Sequence, residues 1–281
     1  MSAAAIGADT FGREAGLSGR VSRELRELVA FRHLVRHLVS TSLRAELAST
    51  TLGFVWWILD PLLLMAVYYV FIGIILNRDL VPHYALFVLT AIISWEFFAN
   101  SVQRSMSLTL AKEGSMREVA YPRSAIPLAA TLTETIHFAV AVGVLLALLP
   151  AFGLAPGPMA VVAIPLALLE FVFALGVSYL LAAAYVFFRD LKHLTEHVFW
   201  LWFHVSPAVY PAFLFPRQFL RVFEMNPFAT FFEDLRSVLM YDQLPATSLL
   251  HLGVLSAACL LVLVVGFVTF VEAGRSFAKV A

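Results

Sequence analysis

A single cysteine, Cys259, is the whole thiol content of this 281-residue chain, and it lies inside a long apolar run. That excludes a disulfide framework and any Cys-based metal site. Charge is scarce as well: Asp, Glu, Lys and Arg make up only 14% of the residues, with no net surplus of either sign. Such a balance gives no reason to expect a nucleic-acid partner. No Gly-x-x-x-x-Gly-Lys-Ser/Thr stretch occurs, so the chain cannot hydrolyse nucleotide by that route. Residues 1–27 lack an apolar h-region, which argues against a cleavable signal peptide. Nor is any stretch between the apolar runs long enough to form a soluble catalytic domain.

What the chain has instead is apolar surface. Aliphatic, aromatic and Cys residues make up 61% of it, more than a soluble domain of this size could hide. About 20 apolar residues suffice to cross a bilayer as a helix. The expected fold is therefore an all-α polytopic membrane protein with six transmembrane helices, at about 53–76, 84–109, 125–150, 160–187, 194–215 and 248–271. Residues 1–22 are expected to form a disordered tail. Residues 23–45 place Leu28, Phe31, Val35, Leu38 and Val39 at helical spacing against Arg26, Arg32, His33 and Arg36. This is the pattern of an amphipathic helix in the membrane interface, or of one packed on other protein. Residues 46–281 form the transmembrane domain.

Fifteen Lys and Arg fall on one side of this layout and four on the other, which puts both termini in the cytoplasm. Residues 216–247 do not fit a span. They are rich in Phe but interrupted by Pro216, Asn226-Pro227 and Pro245. A re-entrant helical hairpin turning at Asn226-Pro227 fits them, as does a flat external cap.

Polar residues inside the spans are the candidates for chemistry. His193-Leu194-Thr195-Glu196-His197 matches a zinc-peptidase pattern, but the same residues make a polar start to a helix, and no metal site is assigned. Glu96, Glu134, His137 and Glu170 fall within spans. There a carboxylate needs a wet cavity or a partner. Glu134 and His137 share a helix face, so the pair suits either an ion-coupled carrier or an interhelical hydrogen bond. Trp200, Trp202 and Tyr210 belong to an interfacial aromatic belt or stack on sugar rings along a pathway. No catalytic residue is assigned.

Several short motifs then occur in a telling order: Leu52-Gly53-Phe54-Val55-Trp56 with Pro61, Tyr121-Pro122-Arg123 with Ile126-Pro127, and Phe188-Arg189-Asp190-Leu191. Ser206-Pro207-Ala208-Val209-Tyr210, Asn226-Pro227 and Glu233-Asp234-Leu235-Arg236 follow. From about Arg23 onward the chain resembles the membrane subunits of ATP-binding-cassette exporters of lipid-linked polysaccharide, such as O-antigen, capsule, teichoic acid and galactan. It departs from them at Glu46, Leu47 and Ala48, where that family often has a basic-aromatic-basic triplet.

The resemblance implies a half-transporter in the cytoplasmic (inner) membrane that carries no cofactor itself. A second copy of the chain and two separate ATPase subunits, which hold the ATP and Mg, would complete it. The substrate would be a polyprenyl-pyrophosphate-linked glycan, with membrane lipids around it. Arg36 and Arg44 would attract the head group. The cytoplasmic loop 110–124, through Lys112, Glu113, Arg117, Glu118, Tyr121 and Arg123, would couple to the ATPase. A drug or small-lipid exporter of the same superfamily, or an ion-coupled carrier using Glu134 and His137, are the competing readings.

Overall fold

The computed structural model describes residues 16–49, 51–76, 81–112, 122–216, 218 and 225–280. Among them all regular structure is helical. Helix α1 spans Leu17–Ala30 and α2 Arg32–Ser49. Helix α3 spans Val55–Tyr68 and widens into a π turn over Tyr69–Ile75. Then come α4, Tyr84–Lys112, α5, Ala125–Leu148, and α6, Ala163–Phe187. Helix α7 is Leu191–Val205, α8 Pro227–Met240 and α9 Leu249–Val280.

Five of these segments are long and apolar enough to cross a membrane: Val55–Ile75, Tyr84–Ala111, Ala125–Phe152, Pro158–Phe187 and Leu249–Gly274. The expected span over 194–215 is not a continuous helix. Helix α7 has 15 residues, about 22 Å at the usual rise, against a hydrocarbon core of about 30 Å. It stops where Ser206 turns extended (ψ 157°) ahead of Pro207, because a residue preceding proline is pushed out of the helical region. Where the second half of a re-entrant hairpin was expected, the chain forms helix α8. Residues 217 and 219–224 of the first half lie outside the described residues.

The N-terminal segment also differs from its expected boundaries. It is two helices meeting at Phe31, and the first begins at Leu17, inside the expected tail. Two contacts hold α1 down. Arg20 pairs with Glu272 of α9 at 2.6 Å. The Glu24 carboxylate accepts hydrogen bonds from the Ser124 backbone N–H at 3.1 Å and from its hydroxyl at 2.7 Å. Glu24 thereby satisfies a donor at the start of α5 that the helix itself leaves open. Residues 1–15 lie outside the described residues.

Helix α4 is the central post. Of its most apolar stretch 83% is buried, against 6% for α3. Helices α5 and α6 pack along it, α9 lies outside α6, and α8 closes one end against α4 and α6. The end of the bundle carrying Arg104 and Arg123 is called the basic end, and the end carrying Tyr84 and Arg236 the far end.

The α6–α9 contact is made by glycine. A Cβ on Gly266 would fall 2.2 Å from the Gly176 carbonyl oxygen, and one on Gly176 would fall 2.6 Å from the Leu263 nitrogen. The two backbones therefore touch, as membrane helices do where small residues line the contact. Gly266→Val is expected to cost about 1–3 kcal/mol of overpacking. It should reduce the monodisperse peak of detergent-extracted protein severalfold in fluorescence-detected size exclusion. Gly253→Val, where nothing lies within 4 Å of an added Cβ, should leave the peak intact.

Candidate functional site

Along α4, Glu96, Asn100, Gln103 and Ser107 are spaced by four, three and four residues, so they form one polar stripe. The stripe runs about 16 Å along the helix axis, and none of the four is fully buried. Helix α3 faces it with Trp56, Trp57 and Asp60, and α5 with Glu134 and His137. Trp57, Asp60, Asn100, Gln103, Ser107, Glu134 and His137, together with Glu46, Arg104 and Lys192, enclose an open cavity of about 340 Å3 toward the basic end. It continues inward into a smaller one of about 100 Å3, lined by Trp56, Asp60, Glu96 and Phe97. The cationic side chains Arg104 and Lys192 therefore line only the mouth, while carboxylates line both cavities.

Four ionisable groups knit the mouth together. Arg104 binds Glu46 through Nη1 and Glu134 through Nε. His137 places Nδ1 2.9 Å from Glu134 Oε2 and Nε2 3.1 Å from Glu46 Oε2. The Trp57 ring covers the imidazole, with centroids 4.4 Å apart. Neutrality of this set requires His137 to carry both ring protons. Burial alone would raise the Glu46 pKa, but the His137 hydrogen bond and the Arg104 charge pull it below the usual carboxylate value. A lowered carboxylate pKa contributes stability above its unfolded value. That contribution is lost as pH falls through the folded one. Acid should therefore release Glu46, and with it the end of α2.

At the far end the quoted motifs meet in a second knot. Asn226 caps α8 by accepting from the Phe228 N–H at 3.1 Å, with Pro227 at the first helical position. Its amide also donates to Ser206 Oγ at 2.8 Å and accepts from Trp202 Nε1 at 3.0 Å. The Arg236 side chain is 1% exposed. It donates to the carbonyls of Phe87 at 3.0 Å, Pro207 at 2.8 Å and Ala208 at 2.8 Å, and to Glu233 at 3.1 Å. Its guanidinium lies 3.3 Å over the Phe87 ring. The break after α7 is thus held open by α8.

The residues expected to carry function fall in different places. Arg36 and Arg44 are exposed on α2; neither lines the groove. Trp200 is 65% exposed and lies against His204, with centroids 4.5 Å apart. Trp202 points the other way, into a cluster with Trp95, Phe98 and Phe228. Tyr210 donates to the Val205 carbonyl. Lys112 ends α4, while Glu113, Arg117, Glu118 and Tyr121 lie outside the described residues. Arg123 donates to the Gly274 carbonyl.

His193 is 80% exposed, with Nδ1 3.7 Å from Glu196. Among the described residues no group of three His, Cys, Asp or Glu side chains is placed to hold a metal ion. Sequence reasoning missed Arg104 and Lys192 as groove residues, and missed Glu46 as the partner of Arg104 and His137. The α4 stripe was detectable from its spacing alone.

No protein-family model matches the chain. It is similar to curated proteins named O-antigen export system permease protein RfbA. Two such proteins of Klebsiella pneumoniae are 28% identical to it over 244 residues, covering 86% of this chain and 93% of their own length. One of Myxococcus xanthus is 28% identical over 241 residues, covering 85% of this chain and 92% of its own length. The resemblance read from the motifs is borne out at the level of an export permease.

Proposed function

We propose that this chain is the permease half of an ATP-driven exporter. It would carry a polyprenyl-pyrophosphate-linked polysaccharide, of the O-antigen kind, from the cytoplasm to the outer side of the inner membrane. The observation that carries this reading is the α4 stripe with Asp60 opposite it. Carboxylates and amides at membrane depth are costly against lipid, so this face belongs against water or a second copy of the chain. Two copies meeting there would line a polar route between them. The similarity to O-antigen export permeases over most of the chain supports the same class of cargo.

In this reading the basic end is cytoplasmic, as the fifteen-to-four distribution of Lys and Arg favours. Helices α1 and α2 lie at the membrane interface there, and α8 dips into the outer leaflet. ATP and Mg are held by two partner ATPase subunits that dock below loop 110–124. Motion of that loop would reach α5 and α1 together, because Ser124 is bonded to Glu24.

The rival ion-coupled carrier would use Glu134 and His137 and would need no ATPase. The test is export of surface glycan in cells that lack their own permease and are supplied with this chain and its ATPase. Export should appear only with both, and should vanish with an ATPase variant unable to hydrolyse ATP. Persistent export with that variant would overturn the reading in favour of the carrier.

A further inference from the structure

Two cations on two different spans, Arg104 of α4 and His137 of α5, converge on one carboxylate from a third helix, Glu46 of α2. We propose that the Arg104–His137–Lys192 side of the groove is a binding site for a phosphate-type anion, and that Glu46 holds the place of that anion until the ligand displaces it. That the anion is a lipid-linked pyrophosphate rests on the export reading above.

Charge counting supports the exchange. The mouth is lined by Arg104, His137 and Lys192 against Glu46, Asp60 and Glu134. With His137 doubly protonated the six charges balance, and Glu96 lies deeper. Withdrawing Glu46 leaves one positive charge in excess beside Arg104 and His137, whose side chains are only 25% and 17% exposed, and a partly buried charge without its partner is costly. An incoming anion restores the balance. The guanidinium fork suits phosphate oxygens, and Asn100, Gln103 and Ser107 in the same cavity offer neutral donors for the others.

Geometry decides which carboxylate gives way. The Glu134 side chain is 4% exposed and sits mid-helix, whereas that of Glu46 is 26% exposed. Glu46 lies three residues before the end of α2 at Ser49. The chain then turns at Gly53, whose φ of 51° is left-handed and open to glycine at little cost. Among the described residues Lys192 makes no ion pair, so it remains available to a ligand.

The test uses the purified full chain in nanodiscs, titrated calorimetrically with farnesyl pyrophosphate and separately with inorganic pyrophosphate. Glu46→Gln should tighten binding on the order of tenfold, because the resident competitor is gone. Lys192→Gln should weaken it by a comparable factor without leaving a buried carboxylate unpaired. If both ligands respond alike, the site reads phosphate from any source. If only farnesyl pyrophosphate responds, it reads a membrane-borne head group; either result supports the site. Unchanged or weaker binding of both ligands to Glu46→Gln would overturn the displacement. That failure would not touch the export reading, which is scored on ATPase-dependent export by the unaltered chain.

Discussion

Arg236→Ala should yield almost no monodisperse protein. Removing the guanidinium strips hydrogen bonds from three backbone carbonyls, those of Phe87, Pro207 and Ala208, and leaves a void against the Phe87 ring. Breaking a buried, fully bonded charge of this kind costs about 3–5 kcal/mol, which is a large part of a domain's stability. Arg236→Lys should fail nearly as badly, since one ammonium cannot fork to carbonyls on two separate segments. Glu233→Gln makes the discriminating control. Its side chain is 30% exposed, so weakening that pair should cost below about 1 kcal/mol. Size exclusion after detergent extraction, read beside the thermal midpoint of whatever folds, separates the three variants. A stable Arg236→Ala protein would mean that Asn226, together with Tyr84, whose hydroxyl donates to the Val209 carbonyl at 2.7 Å, suffices to hold the break after α7.

The knot around Arg236 shows how far the sequence could be read. Asn226-Pro227 announces a helix start, and the structure puts an N-cap there with proline at the first helical position. The spans at α3 with its π turn, α4, α5, α6 and α9 were legible because a run of apolar residues is a local property. Helix α7 was not. Its composition remains apolar through Leu214, and only the geometry at Ser206-Pro207, stabilised from α8, shows that the helix has ended.

The groove was half legible for the same reason. Glu134 and His137 stand out as polar residues three apart inside a span, and Glu96 as a lone carboxylate. Nothing local links them to Glu46, which precedes the first span, or to Lys192 beyond the fourth span. Ion pairs between helices depend on how the helices are arranged, and periodicity carries no information about that. Trp200 and Trp202 teach the converse: two residues apart on a helix, they point in different directions, so one composition-based role could not suit both.

Arg104→Gln should damage the protein in two separable ways. The first is stability. Glu134 would be left buried with only His137 against it, and Glu46 would lose its nearest cation. Leaving a buried carboxylate with one of its two cations is expected to cost up to about 3–5 kcal/mol, visible as a lower thermal midpoint and a smaller membrane fraction. The second is export, because Arg104 lines the mouth of the groove. Adding Glu134→Gln removes the under-compensated charge, so the double variant should regain most of the lost stability. A pair removed from both sides costs far less than a pair broken from one. Export should not return with it. If the groove carries the cargo's anion, the double variant should insert at nearly the normal level and export on the order of a tenth of the wild-type rate or less. Recovery of export along with stability would show that Arg104 serves only to neutralise Glu134, and that the route for the cargo runs elsewhere on the bundle.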